Sequence, residues 1–181
     1  MNSQHLALIA AAALLGFWAL GAHNRLMALR NAIGAAWNQF DEPLQRRSGA
    51  IAGLVDGLRE PLAEEHLAVD SLHQARLQLD AAADAMRRRP ADAARARQVA
   101  AAEAPLSAAL GRVLALLELH AAVRDDAAVA PHLAALRDAG PRLSFARQLF
   151  NDAVAVYNAA VRQFPTRLLG QLFGFAEAGA L

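Results

Sequence analysis

The longest apolar stretch of the chain lies near its beginning, where residues 6–22 read LALIAAAALLGFWALGA without a charged side chain. A helix rises about 1.5 Å per residue, so this stretch spans roughly 25 Å and is just long enough to cross the hydrocarbon core of a bilayer. Trp18 lies near its far end, where an indole ring suits the membrane interface. A buried core helix and a cleaved signal peptide are the alternatives, but residues 1–5 carry none of the Lys or Arg that opens a signal peptide. The pattern therefore favours an uncleaved transmembrane anchor that contacts the lipid bilayer through residues 6–22.

The charges around this stretch predict its orientation. Arg25 and Arg30 follow it closely, and Arg46 and Arg47 lie further on, whereas no Arg precedes it. Segments rich in Lys and Arg remain on the cytoplasmic side of a membrane. We therefore expect a single-pass protein of the inner (cytoplasmic) membrane, with its N-terminus outside and its C-terminal part in the cytoplasm.

Beyond the anchor, apolar residues recur three or four positions apart, which is the spacing of an amphipathic helix. Four such stretches follow one another. The predicted core positions are Leu26, Met27, Ile33, Trp37, Phe40, Leu44, Ile51, Leu54 and Leu58 in the first, Leu72, Leu79, Ala83 and Met86 in the second, Leu106, Leu110, Val113, Leu114 and Leu117 in the third, and Leu143, Ala146, Phe150, Ala153, Val154, Tyr157, Val161 and Phe164 in the fourth.

Proline and charge divide these helices from one another. Glu60-Pro61 predicts the end of the first helix, Arg87-Arg88-Arg89-Pro90 the end of the second, and Pro131 the first turn of the fourth. Further kinks or breaks are predicted at Pro43, Pro105 and Gly140-Pro141. Long helices with short connections predict an all-α fold, in which an N-terminal transmembrane helix precedes a long antiparallel bundle of about four helices. The predicted domains are an anchor at 1–22, a helical bundle at 23–165 and an apolar C-terminal tail at 166–181.

Composition removes several classes of function. All 18 basic residues are arginines and cysteine is absent, so Schiff-base chemistry, a P-loop lysine and thiol catalysis have no residue to carry them. The formal net charge is only +1, and it gives no reason to expect a nucleic-acid partner.

His66, Asp70 and His73 are the best candidates for a chemical site. Their spacing places them on one helix face, and imidazole and carboxylate groups bind Zn²⁺ or Fe²⁺. We favour a solvated polar face, and a metal site of the di-iron kind would need Glu-x-x-His pairs on facing helices, which the sequence lacks. No nucleophile elbow or Gly-rich phosphate loop is present either. We expect no catalytic site, no metal and no cofactor, with a metal-binding sensor or metal-dependent enzyme on the His66/Asp70/His73 face as the alternative.

Two asparagines, an arginine triplet and the apolar tail are candidates for contacts within the bundle, with lipid or with a partner. Asn151 and Asn158 lie seven positions apart on an apolar face, which predicts a hydrogen-bond layer that fixes the helix register, or else a surface for a partner. Arg87 to Arg89 form a charged helix end in the favoured interpretation and a contact for anionic lipid in the other. The apolar residues of 166–175 could dock on the bundle, lie on the bilayer surface or bind a partner, and we expect one of the first two, between which the sequence does not decide.

Several spaced blocks of sequence carry a resemblance to a known family. They are Asn24-Arg25-Leu26, Leu29-Arg30-Asn31, Ala36-Trp37-Asn38, Leu44-Gln45-Arg46-Arg47, Leu106 to Leu114 with Glu118, Arg142, Ala146-Arg147, Phe150 to Val154, Tyr157-Asn158, Phe164-Pro165 and Leu168 to Phe175. In this order the blocks resemble the LemA family of membrane-anchored helical proteins, over about residues 24–176. The chain departs from the family pattern at Ala52-Gly53, where relatives often have Pro-Asn, and at Pro105 and Pro141.

The resemblance implies one N-terminal membrane helix, a long antiparallel helical bundle and no established enzymatic activity. Some members are linked to the biogenesis of organelle-like membranes in magnetic bacteria, and others are encoded beside membrane proteases. We therefore expect a non-enzymatic scaffold or interaction protein in membrane organisation or envelope maintenance, with an unidentified membrane or cytoplasmic protein partner and a membrane protease as a candidate neighbour. Its oligomeric state is not predicted.

Overall fold

The computed structural model describes residues 3–181, except for the side chains at positions 3, 6, 7, 169, 171 and 172. Most of the described chain is helical and none of it forms a strand, which confirms the all-α class. Alanine, leucine and arginine, three of the strongest helix formers, account for this. The helices are α1 (Ser3–Leu58), α2 (His66–Arg88), α3 (Ala93–Leu119), the single turn α4 (Ala121–Arg124), α5 (Ala130–Arg162) and α6 (Thr166–Phe173).

The first helix changes character along its length. Its N-terminal part exposes large apolar side chains, with Leu14 75% and Phe17 77% exposed. From Leu26 onward its apolar side chains turn into the core, where Leu26, Ile33 and Trp37 are fully buried. The helix continues through this change without a break, so the predicted anchor and the packed part of α1 are one helix of 56 residues.

One helix within the described part of the chain, α3, is long and apolar enough to cross a membrane. Its inner face is buried against the other helices at Ala96, Val99, Leu106, Ala109, Val113 and Leu117, whereas most of its apolar segment is not buried. The predicted span at residues 6–22 includes two residues whose side chains lie outside the described ones. Its location in a membrane therefore stays a prediction.

Hydrogen bonds and contacts between helices give their relative directions. Asp41 and Ser48 on α1 bond to Arg87 and Asp80 on α2, so these two helices run in opposite directions. Likewise, Trp37 on α1 packs with its ring centroid 6.0 Å from that of Phe150 on α5. Gly53 lies beside His132 near the start of α5, so α5 also runs opposite to α1.

Two ionic contacts join α1 to its neighbours. The Arg47 guanidinium donates to both carboxylate oxygens of Glu103 on α3, at 2.6 and 2.7 Å, and both side chains are largely buried. In the same way, Arg87 donates to both oxygens of the buried Asp41 at 2.7 and 2.8 Å. The hydrogen bond to Asp41 raises the pKa of Arg87. These bidentate pairs fix the position of α1 against the α2–α3 hairpin.

The predicted breaks are partly right. Helix α1 ends at Leu58, just before Glu60-Pro61, and Pro131 lies in the first turn of α5, as predicted. The breaks predicted at Pro43, Pro105 and Pro141 are wrong as breaks, because each proline lies inside a continuous helix. A proline in a helix costs about 3 kcal/mol, whereas each fully buried Leu, Ile or Phe contributes roughly 1.5–3 kcal/mol. Packing of the flanking turns therefore outweighs the proline.

Most predicted core positions are buried, but Leu110 and Ala153 are only partly buried and three others are exposed. Met27 and Leu114 are each 38% exposed, and Phe164 is 71% exposed. Phe164 follows the end of α5 at Arg162, so the helical spacing that predicted its burial no longer applies there.

The departure at Ala52-Gly53 has a structural reason. A Cβ atom on Gly53 would lie 2.2 Å from Cε1 of His132. The glycine therefore lets the imidazole ring of α5 pack directly on the backbone of α1.

Candidate interaction site

The last eight residues, 174–181, leave helix α6 and lie against the other helices without forming a helix or strand of their own. Gly174 ends α6 in the left-handed conformation at φ 70°, which glycine adopts without strain. The N–H of Phe175 then donates to the carbonyl oxygen of Gly170 at 3.0 Å. From here on, the tail means residues 174–181, which are the second half of the segment 166–181 predicted above. We call the tail, together with the side chains that hold it, the tail site.

Two asparagines of α5 hold the backbone of the tail. The side chain of Asn158 accepts a hydrogen bond from the N–H of Ala178 at 2.8 Å and donates to the carbonyl oxygen of the same residue at 2.9 Å. Asn151 makes the same pair with Leu181, at 2.8 and 3.1 Å. A primary amide has both a donor and an acceptor, which match the carbonyl oxygen and the N–H of one backbone residue. Each asparagine therefore binds the backbone of the tail and not its side chains.

This arrangement corrects the sequence interpretation of Asn151 and Asn158. They lie on one face of α5, as their spacing predicted, but they do not form the expected layer between helices. Their partners are backbone groups of the tail, which arrive 20 and 30 residues later in the chain. The tail therefore completes the hydrogen bonds of this half-buried polar face.

Tyr157 and Arg162 add two further contacts. The Tyr157 hydroxyl donates to the carbonyl oxygen of Ala176 at 3.0 Å, and burial raises the pKa of this tyrosine, which keeps the hydroxyl protonated. The Arg162 guanidinium donates to the Glu177 carboxylate, with Nε 2.7 Å from Oε1. This hydrogen bond lowers the pKa of Glu177 and raises that of Arg162.

Close packing completes the tail site. Phe175 and Ala178 are buried, at 7% and 6% exposure. Gly179 passes so near the start of α3 that a Cβ atom there would lie 2.8 Å from Cα of Ala93 and 2.9 Å from Cβ of Ala96. Since Cα of Ala93 is backbone, no side-chain rotation could relieve the clash.

The tail site lies beside the end of the predicted anchor. The ring of His23, the first residue after it, has its centroid 5.3 Å from those of both Phe173 and Phe175, in edge-to-face geometry. Thr166 at the start of α6 lines a cavity with Trp18, Gly21 and Arg25.

A cationic groove lies near the same end of the helices. It has a volume of about 510 Å³ and runs between α1 and the α2–α3 turn. Arg30, Arg88 and Arg89 line it together with Asn31 and Asn38, and no carboxylate is among the lining residues. The arginine triplet is thus divided, with Arg87 in ion pairs and its two neighbours beside Arg30.

The described side chains do not bring further metal ligands to the predicted metal face of His66, Asp70 and His73. His66 and Asp70 are exposed and His73 is partly exposed, and Nδ1 of His66 lies 3.3 Å from the carbonyl oxygen of Ala63. Among the side chains that the structure describes, no group of three or more His, Asp or Glu is placed to hold a metal ion.

Sequence reasoning missed the partners of the tail site, although it singled out some of its members. Asn151, Tyr157 and Asn158 belong to the blocks quoted above, and the small residues of FAEAGAL could have signalled a closely packed extended segment. Nothing in the sequence indicated that Gly179 meets Ala93, because that contact depends on the path of the tail.

The LemA family model matches residues 36–181, which include all of the tail site except His23. No curated protein sequence matches the chain. The family match confirms the resemblance seen in the sequence blocks and covers most of the chain.

Proposed function

The chain belongs to the LemA family, and from that premise we propose that it is a membrane-anchored scaffold without enzymatic activity. In this proposal residues 6–22 cross the inner (cytoplasmic) membrane once, and the four long helices form an antiparallel bundle in the cytoplasm. The bundle binds other proteins in membrane organisation or envelope maintenance.

The observation that carries the proposal is the exposed apolar surface of the first part of α1. Leu8, Ile9, Leu14, Leu15, Phe17 and Leu20 are all more than half exposed. Apolar surface of this extent is rare on water-soluble monomers and marks a membrane or protein contact. A bilayer would cover all of these side chains at once, because they surround the helix and are not confined to one stripe.

The distribution of arginine supports the proposed orientation. Arg25 and Arg30 follow the anchor in sequence, and the fold adds Arg88 and Arg89 beside Arg30. At about 1.5 Å per residue, Arg30 lies roughly 12 Å beyond residue 22 along α1. Four arginines near one membrane surface favour the cytoplasmic side, where anionic lipids attract them.

Exposed apolar side chains away from the anchor support a binding role. Leu67, Leu119 and Phe145 are 74%, 79% and 65% exposed. The metal-binding alternative on the His66/Asp70/His73 face gains no support from the described side chains.

Membrane topology tests the proposal directly. A cytoplasm-only fluorescent protein or alkaline phosphatase is fused to the C-terminus, and the membranes are washed at alkaline pH. We expect fluorescence in the washed membranes, and loss of membrane retention in the double variant Leu14→Arg/Phe17→Arg, because an arginine at the centre of a span costs about 2.5–3.5 kcal/mol. Leu119→Arg is the matched control, and it should remain in the membrane. Phosphatase activity in washed membranes would refute the cytoplasmic location, and soluble fusion protein would refute the anchor.

Crosslinking tests the scaffold role. A photo-reactive amino acid at Phe145 should capture a membrane or cytoplasmic protein in intact cells, and a membrane protease is one expected product. The same amino acid at the half-buried Gly34 serves as a control, because a protein that contacts the exposed face of α5 should not react there. If no position on the bundle captured a protein above that background, the scaffold role would be wrong.

A further inference from the structure

We propose that α6, together with Phe164 before it, binds the surface of the lipid bilayer beside the anchor. The proposal rests on the membrane anchor proposed above and adds a second contact between the chain and lipid. Phe164, Leu168 and Phe173 are 71%, 54% and 52% exposed, which leaves three large apolar side chains uncovered within ten residues.

Helix α6 lies beside the end of the predicted anchor on α1. Its first residue, Thr166, lines a cavity with Trp18 and Arg25, and its last residue, Phe173, packs on His23. Both ends of α6 therefore lie beside residues 18–25, a stretch of roughly 10 Å along the axis of α1. If residues 6–22 cross the membrane, this is the level at which hydrocarbon gives way to head groups, and amphipathic helices insert about 5–10 Å deep there.

Exposed apolar side chains of the predicted anchor lie at the same level as α6. Phe17 and Leu20 on the predicted anchor are exposed next to this level, and Trp18 between them is 38% exposed. Leu168 and Phe173 are exposed on the helix whose first residue, Thr166, shares a cavity with Trp18. A lipid surface can cover the anchor and α6 together, whereas a soluble protein partner would have to share the space with the membrane.

Cationic side chains flank α6, and hydrogen bonds hold the segment that follows it. Arg167 on α6 and Arg25 on α1 are both exposed, so cationic groups flank the apolar side chains, as in helices that lie on anionic membranes. Beyond α6, Asn158 and Asn151 hold the tail on the bundle. This restraint keeps α6 at the level of residues 18–25.

The absence of cysteine makes a site-specific test simple. Single cysteines replace Phe164, Leu168, Leu14 or Leu119 in the full chain, and each carries an environment-sensitive fluorophore. The protein is reconstituted in vesicles of phosphatidylcholine with a minor fraction of phosphatidylglycerol, which also contain lipids with a nitroxide quencher near the head group. Leu14→Cys reports insertion of the anchor. Leu119→Cys is the matched control, because Leu119 is exposed and apolar but lies at the far end of α3, where His120 meets Glu65.

We expect lipid quenching at positions 164 and 168 to exceed that at 119 several-fold, with an accompanying blue shift of the emission. If position 14 is quenched while 164 and 168 behave like 119, α6 does not bind the membrane, although the anchor stands. If labels at 164 and 168 are shielded from both lipid and aqueous quenchers, the bundle or a second copy of the chain covers α6 and the proposal is wrong. If position 14 itself is not quenched, the anchor fails and this proposal fails with it. The substituted side chains are at least half exposed, and circular dichroism of each variant checks that the helices are retained.

Discussion

Replacement of Asn158 by alanine should release the tail from the bundle while leaving the helices folded. The asparagine amide makes two hydrogen bonds to one residue, Ala178. Because Ala178 is only 6% exposed, its N–H and carbonyl groups would lose their partners without gaining free access to water.

The magnitude follows from these two bonds. A hydrogen bond contributes about 1 kcal/mol net, so the loss of both should favour detachment of the tail by about 2 kcal/mol. Since 1.4 kcal/mol corresponds to a factor of ten, the open population should rise about 30-fold. Asn158→Asp keeps the acceptor for the N–H of Ala178 but places a carboxylate oxygen against the carbonyl oxygen of the same residue, so it should not restore protection.

Amide hydrogen exchange of the full chain in lipid nanodiscs measures this opening at Ala178 itself. Asn158→Ala should accelerate exchange there by about 30-fold, because local opening controls protection. Asn151→Ala should act mainly on the amide of Leu181, and the exposed Asn38→Ala on α1 should change neither amide. If Asn158→Ala accelerated exchange at Ala178 no more than Asn38→Ala does, the paired amide contacts would not be what holds the tail.

Three further predictions concern packing, charge and pH. Gly179→Ala should displace the end of the tail, because its Cβ would lie 2.8 Å from Cα of Ala93, and exchange at tail amides measures the displacement. Glu103→Ala should lower the free energy of unfolding in urea by about 3 kcal/mol, since it leaves the largely buried Arg47 without its partner. Acidification should loosen the tail, because Arg162 lowers the pKa of Glu177. Their contact stabilises the fold at a pH above about 4.5, the ordinary pKa of a glutamate, and this stabilisation is lost as the pH falls through the lowered pKa.

Each of these has a matched control. Gly111→Ala, where a Cβ meets nothing within 4 Å, should leave the tail in place and stabilise helix α3 by about 1 kcal/mol. The double variant Arg47→Leu/Glu103→Leu should recover most of the stability lost in Glu103→Ala, and a double variant as unstable as the single one would argue against an unpaired charge as the cause. Glu177→Gln should abolish the acid-dependent step of a fluorophore attached near the chain end. A step that persisted in this variant would arise from another group.

The helices and most of their buried faces could be predicted from the sequence. The helical periodicity of the apolar residues identifies Ile33, Phe40, Ile51 and Leu54, which all prove to be buried, because that periodicity depends only on local helix geometry. The limits at Glu60-Pro61 and Pro131 follow from backbone chemistry for the same reason. The exposed apolar stretch at the start of α1 is likewise a local property.

Other features depended on segments that meet only in the folded chain. The sequence could not show that Pro105 and Pro141 lie within unbroken helices, because the packing that outweighs them comes from neighbouring elements. The sequence also singled out Asn151 and Asn158, but it could not show that they form hydrogen bonds with the backbone of Leu181 and Ala178.

The sequence by itself determined the helical fold, the family blocks and the apolar stretch that predicts an anchor. Only the tertiary structure decided that the tail returns along α5, that its backbone pairs with two asparagine amides, and that α6 lies beside the end of the apolar stretch. The physical reason is that helix formation follows from spacing within a few residues, whereas a groove and its occupant arise from surfaces 20 or 30 residues apart in the chain.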